Sequence, residues 1–230
     1  MKQLAVISGK GGTGKTTITA AFASLARGAV LADCDVDAAD LHLILAPTIE
    51  SEQPFHGMRL AQVDHARCTD CGECLAHCRF GAVTEEFDIV REKCEGCAVC
   101  ELVCPAGAIS MVERVSGVAY LSSTRFGPMA HAALGIGEEA SGLLTTLVRR
   151  NAVGLASLHH RDLVIIDGPP GIGCPVIAAI TGVDLGEWMV KEAAGELDLA
   201  GFGAEPKGAS MQVRLYAEDP GKDFQPAAGV

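Results

Sequence analysis

The sequence predicts an α/β fold: a mostly parallel sheet flanked by helices and interrupted by a cysteine-rich α+β segment. Three observations predict it. The chain opens with a short apolar run, Leu4 to Ser8, then a glycine-rich loop and a stretch of helical composition, Thr16 to Ala26, with Ala20, Ala21, Ala23 and Leu25. Two further apolar runs, Ala29 to Ala32 and Leu163 to Ile166, each end directly in an aspartate. Between those two runs lie eight cysteines in two copies of one spacing.

The first element is the loop Gly9 to Thr17, Gly-Lys-Gly-Gly-Thr-Gly-Lys-Thr-Thr, which fits G-x-x-x-x-G-K-S/T with spare glycines. Strand, loop and helix follow in the order the motif requires. Glycines let backbone N–H groups turn inward, and the helix N-terminus adds partial positive charge at the same spot. Gly9, Gly11, Gly12, Thr13 and Gly14 are therefore expected to cradle the phosphates of ATP. Lys15 is expected on the β- and γ-phosphates and the Thr16 hydroxyl on magnesium. The fold class sharpens to a P-loop NTPase.

The second apolar run ends in Asp33, Cys34, Asp35, Val36 and Asp37. Ligands of an open α/β sheet gather beyond the carboxyl ends of its strands, so these acids are expected to face the phosphates and their metal. Asp33 would hold magnesium or its water shell and Asp35 would orient the attacking water, since phosphoryl transfer needs positioning and charge neutralisation. Cys34 reads as a small buried hydrophobe. Residues 46–63, with Pro47, Pro54 and Gly57, read as a loop leading out of the sheet.

Cys68, Cys71, Cys74 and Cys78 follow C-x2-C-x2-C-x3-C, and Cys94, Cys97, Cys100 and Cys104 repeat it, with Pro105 after the last. In such runs the first three cysteines wrap one cluster and the fourth ligates the other. One 4Fe-4S cluster would take Cys68, Cys71, Cys74 and Cys104. The second would take Cys94, Cys97, Cys100 and Cys78. Zinc is the main competitor, but zinc ribbons pair two cysteines with two distant ones, and three in a row disfavour it. Phe80-Gly81-Ala82-Val83 matches Ala106-Gly107-Ala108-Ile109, which implies two pseudo-symmetric halves. The segment, about 64–113, resembles a bacterial two-cluster ferredoxin, with Arg79 where proline often follows the fourth cysteine. Its acidic side chains read as a solvated face or as a dock for a basic partner. His77 reads as a surface residue.

Gly135 to Asn151 reads as an amphipathic helix, with Leu143, Leu144, Leu147 and Val148 at helical spacing. The third apolar run ends in Asp167-Gly168-Pro169-Pro170-Gly171. An acid and a flexible turn at another strand end look like a nucleotide switch, with Asp167 near the magnesium waters and the Gly168 amide sensing the γ-phosphate. Cys174 reads as packing.

Lys10, Asp33, Asp35 and the Asp167 to Gly171 stretch together resemble the MinD/ParA class of P-loop ATPases over about residues 1–183. The cysteine-rich interruption is similar to the ferredoxin domain inserted in some MinD-superfamily members. This resemblance implies an ATP-dependent homodimer, with Lys10 reaching the partner's nucleotide and Thr17 on the α-phosphate. It divides the chain into 1–63 and 114–183 as two parts of the ATPase, 64–113 as the insert, and 184–230 as a tail.

The tail departs from that class. Ile180 to Leu185, Ile-Thr-Gly-Val-Asp-Leu, is followed by Gly186-Glu187-Trp188-Met189-Val190 and later by Val213 to Pro220, which resemble biotin carboxylase, most of all the carboxylase part of urea amidolyase. Two families share the string at the junction, which reads as a chimera. The resemblance brings no carboxylase activity, because that family's metal-binding and catalytic acids precede the string and Gln212 stands where glutamate is usual. The class normally adds a strand beside the P-loop strand here, so the C-terminal part of the sheet is expected to be incomplete, with an apolar edge.

Composition sets outer bounds. The chain has 230 residues, 49% of them hydrophobic, and a net charge of −11. That charge argues against nucleic acid and anionic membranes, both of which need a basic surface. The start leaves no room for a signal peptide, no apolar run approaches membrane-spanning length, and the expected location is the cytoplasm. Ten cysteines in such a chain point to metal rather than disulfides. Three functions compete: an ATPase coupled to two clusters and serving a redox partner protein, an iron–sulfur carrier resembling the Mrp/Nbp-type proteins, or an electron-carrier ferredoxin on a nucleotide-binding remnant. The carrier proteins place a bridging cysteine pair late in the chain, whereas no cysteine follows Cys174 here.

Overall fold

The computed structural model describes residues 1–26, 28–135, 137–138, 140–171, 173–181, 191, 194–196, 218–219 and 225–226. The first apolar run forms β1 (Lys2–Ser8), and the glycine loop delivers the chain into α1 (Lys15–Leu25). β2 (Val30–Asp33) and α2 (Leu41–Leu45) follow. Two long strands, β3 (Thr48–Val63) and β4 (Ile109–Thr124), bracket the cysteine-rich stretch with its short helices α3 (Glu73–His77) and α4 (Val99–Val103). β5 (Gly127–Leu134), α5 (Ser141–Leu158), β6 (Leu163–Pro170) and α6 (Cys174–Thr181) complete this part.

The six strands lie in the order β1-β6-β2-β5-β4-β3. β1, β6, β2 and β5 run parallel, and β4 and β3 extend the sheet antiparallel. Alternation along the parallel strands feeds a core on each face. Val30, Ala32, Val164, Ile166, Ala130 and Ala132 pack against Leu144, Val148, Ala152 and Leu155 of α5. Leu31, Ile165 and Met129 point the other way, onto Ala20 and Ala23 of α1 and Leu41 and Leu45 of α2. Strands covered on both faces need apolar residues at successive positions, which is why Val30 to Ala32 and Val164 to Ile166 read as unbroken apolar runs.

Residues 46–63 are not a loop. All but the first two form β3, the outermost strand, which is largely exposed. Its register against β4 shifts between Ile49 and Ser51, between Phe55 and His56, and between His56 and Arg59. Pro54 is tolerated because an edge strand has one unpaired side, and the irregularities accommodate Gly57, where a Cβ would sit 2.6 Å from Ala140 Cβ. An exposed, bulged edge carries no period-2 signal, so the sequence pattern hides it. β4 pairs β5 only from Gly117 onward, so Ile109–Ser116 with the end of β3 stands out as a two-stranded arm. Residues 64–108 are inserted at the end of that arm and pack back along it, on a small core of their own built from Ala61, Cys74, Val83, Ile109 and Met111.

β1 is an edge as well: among the described residues it pairs with β6 alone, and Leu4 and Ile7 are 39% and 45% exposed. The chain divides into two compact units, Met1–Asp198 and Leu199–Val230. Of the second, Glu218–Asp219 and Gln225–Pro226 are described, and they form an antiparallel pair, β7 and β8. The readings of Val183 to Val190 and of most of the tail lie outside the described residues. Among the described residues no helix is long and apolar enough to cross a membrane.

Candidate functional site

The glycine loop turns through Gly12 (φ 73°) and Gly14 (φ 83°), left-handed conformations that need glycine. A Cβ placed on Gly9, Gly11, Gly12 or Gly14 would meet no heavy atom within 4 Å, so these glycines border open space. α1 starts at once with Lys15, and Ile18 N donates to Gly14 O at 3.0 Å, which aims the helix N-terminus at the loop. Lys10, Thr13 and Thr17 are exposed. Ser8 Oγ donates to Lys10 O at 2.6 Å, and Gly171 N donates to Ser8 O at 2.9 Å, which ties the segment after β6 to the mouth of the loop.

The three sequence-predicted aspartates converge. Asp33 of β2 and Asp167 of β6 are register partners, Val6 of β1 lies opposite Asp167, and the loop begins three residues after Val6. Lys15 is buried with its Nζ 3.9 Å from Asp35 Oδ2. Asp33 accepts hydrogen bonds from Asp35 N (3.2 Å) and Leu41 N (3.1 Å), which hold the acidic turn in shape. Thr19 Oγ1 donates to Asp167 Oδ1 at 3.1 Å, and the Thr16 side chain lies near enough to Asp167 to favour its charged form. Gly168 is buried against β1, where a Cβ would sit 2.7 Å from Ile7 Cγ2. That close approach requires glycine.

Burial, with the Asp167 charge beside it, pushes Asp33 well above the usual carboxylate range. Burial pushes Asp35 up to about 6 against the pull of Lys15, and burial raises Asp167 despite its threonine partners. Three carboxyls raised together call for added positive charge. Asp167 Oδ2 is buried with no protein partner. This fits magnesium, which takes one or two carboxylates and completes its shell with phosphate oxygens and water. Among the described residues no three His, Cys, Asp or Glu side chains converge on a single ion, so a full protein cage is not the arrangement here.

The cysteine module repeats its backbone as well as its spacing, at an offset of 26 residues. Asp70 (φ 52°) and Gly96 (φ 63°), Gly72 (φ 79°) and Ala98 (φ 62°), and Gly81 (φ 61°) and Gly107 (φ 57°) are left-handed pairs at equivalent positions. Each short helix ends on the fourth cysteine of its set, and the Sγ of that cysteine accepts a hydrogen bond from a backbone N–H four residues on: Ala82 N to Cys78 at 3.4 Å and Ala108 N to Cys104 at 3.3 Å. Cys68, Cys71, Cys74 and Cys104 line one small cavity with Val63, Phe87 and Ile109. Burial raises the Cys74 thiol, with Cys68 and Cys71 adding to the rise. Burial likewise raises Cys100, with Cys94 and Cys97 adding. Cys78, Cys94 and Cys100 pack on the same small core. Four thiols around an apolar-walled cavity, with N–H donors to sulfur, fit a sulfur-ligated cluster, and the fourth thiol comes from the other motif.

Over residues 4–205 the sequence matches the CobQ/CobB/MinD/ParA nucleotide binding domain. The chain belongs to that family. An uncharacterized protein of Methanocaldococcus jannaschii is 35% identical to this member over 192 residues, 82% of this chain and 67% of that protein. Pyruvate synthase subunit PorD of Methanothermobacter marburgensis is 37% identical over 49 residues, 21% of this chain and 60% of that subunit. Urea amidolyase of Saccharomyces cerevisiae is 44% identical over 57 residues, which is 24% of this chain and 3% of that protein. The family match runs past Ile180–Leu185, the string shared with carboxylases.

Two of the cysteine readings part ways. Cys34 is fully buried, as expected of a packing residue, whereas Cys174 is exposed at the start of α6, where a helix N-terminus following Gly173 leaves it uncovered. His77 is exposed, with Nδ1 2.9 Å from Glu73 O. Thr19 was not singled out by the motif, although its position four residues after Lys15 puts it on the same helix face, toward Asp167. A buried Arg114–Glu138 ion pair at 2.7 Å has no local signal, because its partners lie on different elements.

Proposed function

We propose that this protein is an ATP-binding iron–sulfur protein in which a magnesium-dependent nucleotide switch is coupled to two 4Fe-4S clusters that carry electrons to or from a partner protein. The observation that carries this reading is the meeting of the last cysteine of the second motif with the first three of the first. Cys104 of the second motif shares a cavity with Cys68, Cys71 and Cys74 of the first, and the module is rooted through β3 and β4 in the sheet that bears the nucleotide loop. Support also comes from the PorD subunits, whose name places them with pyruvate synthase.

In this reading Gly9, Gly11, Gly12, Thr13 and Gly14 bind the phosphates, Lys15 neutralises the β- and γ-phosphates, and Thr16, Asp33 and Asp167 would hold magnesium or its water shell. Magnesium supplies charge neutralisation on the phosphates when bound. Asp35, 3.9 Å from Lys15, orients a water for attack, and Gly168 reports the γ-phosphate to the segment that follows β6. Lys10 and Thr17, both exposed at the loop, serve a second copy's nucleotide and the α-phosphate in an ATP-dependent homodimer. Cys68, Cys71, Cys74 and Cys104 would hold one cluster and Cys94, Cys97, Cys100 and Cys78 the other, and the clusters would supply single-electron transfer. The segments 1–63 and 114–183 form the ATPase, 64–113 the cluster domain, in a cytoplasmic protein. The tail adds no carboxylase chemistry, since its match is 3% of urea amidolyase.

The exposed edge of β1 favours a second reading, an electron-carrying ferredoxin module on a nucleotide-binding domain without turnover. Anaerobic reconstitution with iron and sulfide, metal counting, and Mg-ATP binding and hydrolysis assays separate the two. About eight irons per chain with ATP hydrolysis support the first reading, given two four-iron clusters. The same iron content without hydrolysis supports the second, and stoichiometric zinc with no bound iron overturns both.

A further inference from the structure

We infer that the Arg114–Glu138 ion pair is the joint through which nucleotide binding shifts the reduction potential of the cluster held by Cys94, Cys97, Cys100 and Cys78. The inference rests on the proposed function above and specifies where its coupling runs. Arg114 lies on the arm of β4, and its side chain is 4% exposed. One amino group, Nη1, donates to Arg91 O at 3.0 Å and to Cys94 O at 3.3 Å. The other, Nη2, lies 2.7 Å from Glu138 Oε2. Arg91 closes the cluster of charges, with Nη2 3.3 Å from Glu138 Oε1 and donating to Val115 O at 3.1 Å. The turn after Cys94 is seated tightly on β3, since a Cβ on Gly96 would run into the Arg59 backbone.

Glu138 belongs to the short connection between β5 and α5, and both of those elements are tied to the acidic turn of the nucleotide site. Leu134 N, at the end of β5, donates to Val36 O at 3.3 Å. Thr145 Oγ1, on α5, donates to Cys34 O at 3.1 Å, and Cys34 N donates to Asp167 O at 2.8 Å. Cys34 and Val36 alternate in sequence with Asp33 and Asp35, so any shift of those carboxylates on loading magnesium and nucleotide pulls on the two elements that position Glu138. The ion pair is buried, where charges are weakly screened. The Arg114 cation favours the more negative, reduced cluster beside Cys94, and the Glu138 carboxylate offsets it. Moving Glu138 relative to Arg114 changes the charge that cluster feels. Among the described residues the hydrogen bonds of Arg114 reach Cys94 and none of Cys68, Cys71, Cys74 or Cys104, so the effect is selective. Coupling of this kind is a free-energy difference between two sites and is measured as such.

The test is an EPR-monitored potentiometric titration of the full-length, two-cluster protein with and without a non-hydrolysable ATP analogue and magnesium. The expected result is a nucleotide-induced shift in the potential of the Cys94 cluster that exceeds any shift of the Cys68 cluster. In Glu138→Gln the resting potential of the Cys94 cluster rises, because a compensating negative charge is gone, and the nucleotide-induced shift is lost while the oxidised protein still binds the analogue, with the same affinity as the reduced one. Thr145→Val, at the far end of the connection, leaves the resting potential unchanged and diminishes the shift, which covers the case of Glu138→Gln failing to fold. A full wild-type shift in either variant, or a shift confined to the Cys68 cluster, overturns this inference and leaves the proposed function standing. No shift at either cluster of the wild type overturns both.

Discussion

Asp33 and Asp167 are register partners on adjacent parallel strands, buried side by side at the carboxyl edge of the sheet, with the Asp167 charge raising Asp33. A few residues away the loop glycines border open space and Lys15 reaches back to Asp35. Buried carboxyls held together bind a proton or a divalent cation more readily than isolated ones, and four expectations follow from this site and from the cysteine module.

Asp35 is raised from 3.8 to about 6. An acid raised on folding binds its proton more tightly in the folded chain. Its contribution to stability is therefore fully present at pH below about 4 and is lost as pH rises through about 6. In urea unfolding of the nucleotide-free protein, Asp35→Asn flattens the pH dependence between those limits by about 1–3 kcal/mol, one pKa unit being worth about 1.4 kcal/mol. Magnesium–nucleotide affinity of the wild type, measured by calorimetry, falls as pH drops because protons on the raised Asp33 and Asp167 compete with the ion.

Thr19 is fully buried, with its hydroxyl 2.9 Å from Lys15 O and 3.1 Å from Asp167 Oδ1. Thr19→Val keeps the shape and removes the hydroxyl, leaving Asp167 with one protein donor fewer. Stability falls by about 1–3 kcal/mol, the cost of an unsatisfied buried acceptor. Magnesium binding recovers more of that stability in the variant than in the wild type, as thermal unfolding with and without Mg-ATP will show.

Cys104 and Cys78 test the crossing. Cys104→Ser is expected to remove the cluster of Cys68, Cys71 and Cys74 while leaving that of Cys94, Cys97 and Cys100, and Cys78→Ser to do the reverse. Iron content falls from about eight to about four per chain in each case. The EPR signals of the two variants are complementary and sum to that of the wild type. Loss of the local cluster in each variant would show that the motifs do not cross.

Much of this was legible in the sequence because the chemistry is local. The loop from Gly9 to Thr16 and the cysteine sets are fixed by spacing within one turn or helix start, and the buried strands Val30–Asp33 and Leu163–Pro170 carry unbroken apolar runs, up to Ala32 and Ile166, each followed directly by an acid. What was not legible is non-local or masked by exposure. β3 is an edge strand with Pro54, Gly57 and polar residues on both faces, so its pairing with β4 leaves no trace in its own pattern. Arg114 and Glu138 meet only because the hairpin of β4 and β5 folds back toward the start of α5. Thr145 is marked by nothing but its contact with Cys34.

Ala98 occupies the left-handed position that its repeat partner Gly72 fills with glycine. An L-residue there is strained by about 1–2 kcal/mol. Ala98→Gly is expected to stabilise the reconstituted protein by up to about 1 kcal/mol, part of the relief being lost to the greater freedom of glycine in the unfolded chain. Anaerobic denaturant titration with the cluster absorbance as the probe measures it.

The central claim, that nucleotide and clusters are coupled, is tested most directly by reciprocity: if nucleotide changes a cluster's potential, the redox state changes nucleotide affinity by the same free energy. The measurement is the affinity of a non-hydrolysable ATP analogue with magnesium for the oxidised and for the dithionite-reduced protein, by anaerobic equilibrium dialysis. The account predicts two different dissociation constants. Equal affinities in the two redox states would contradict it.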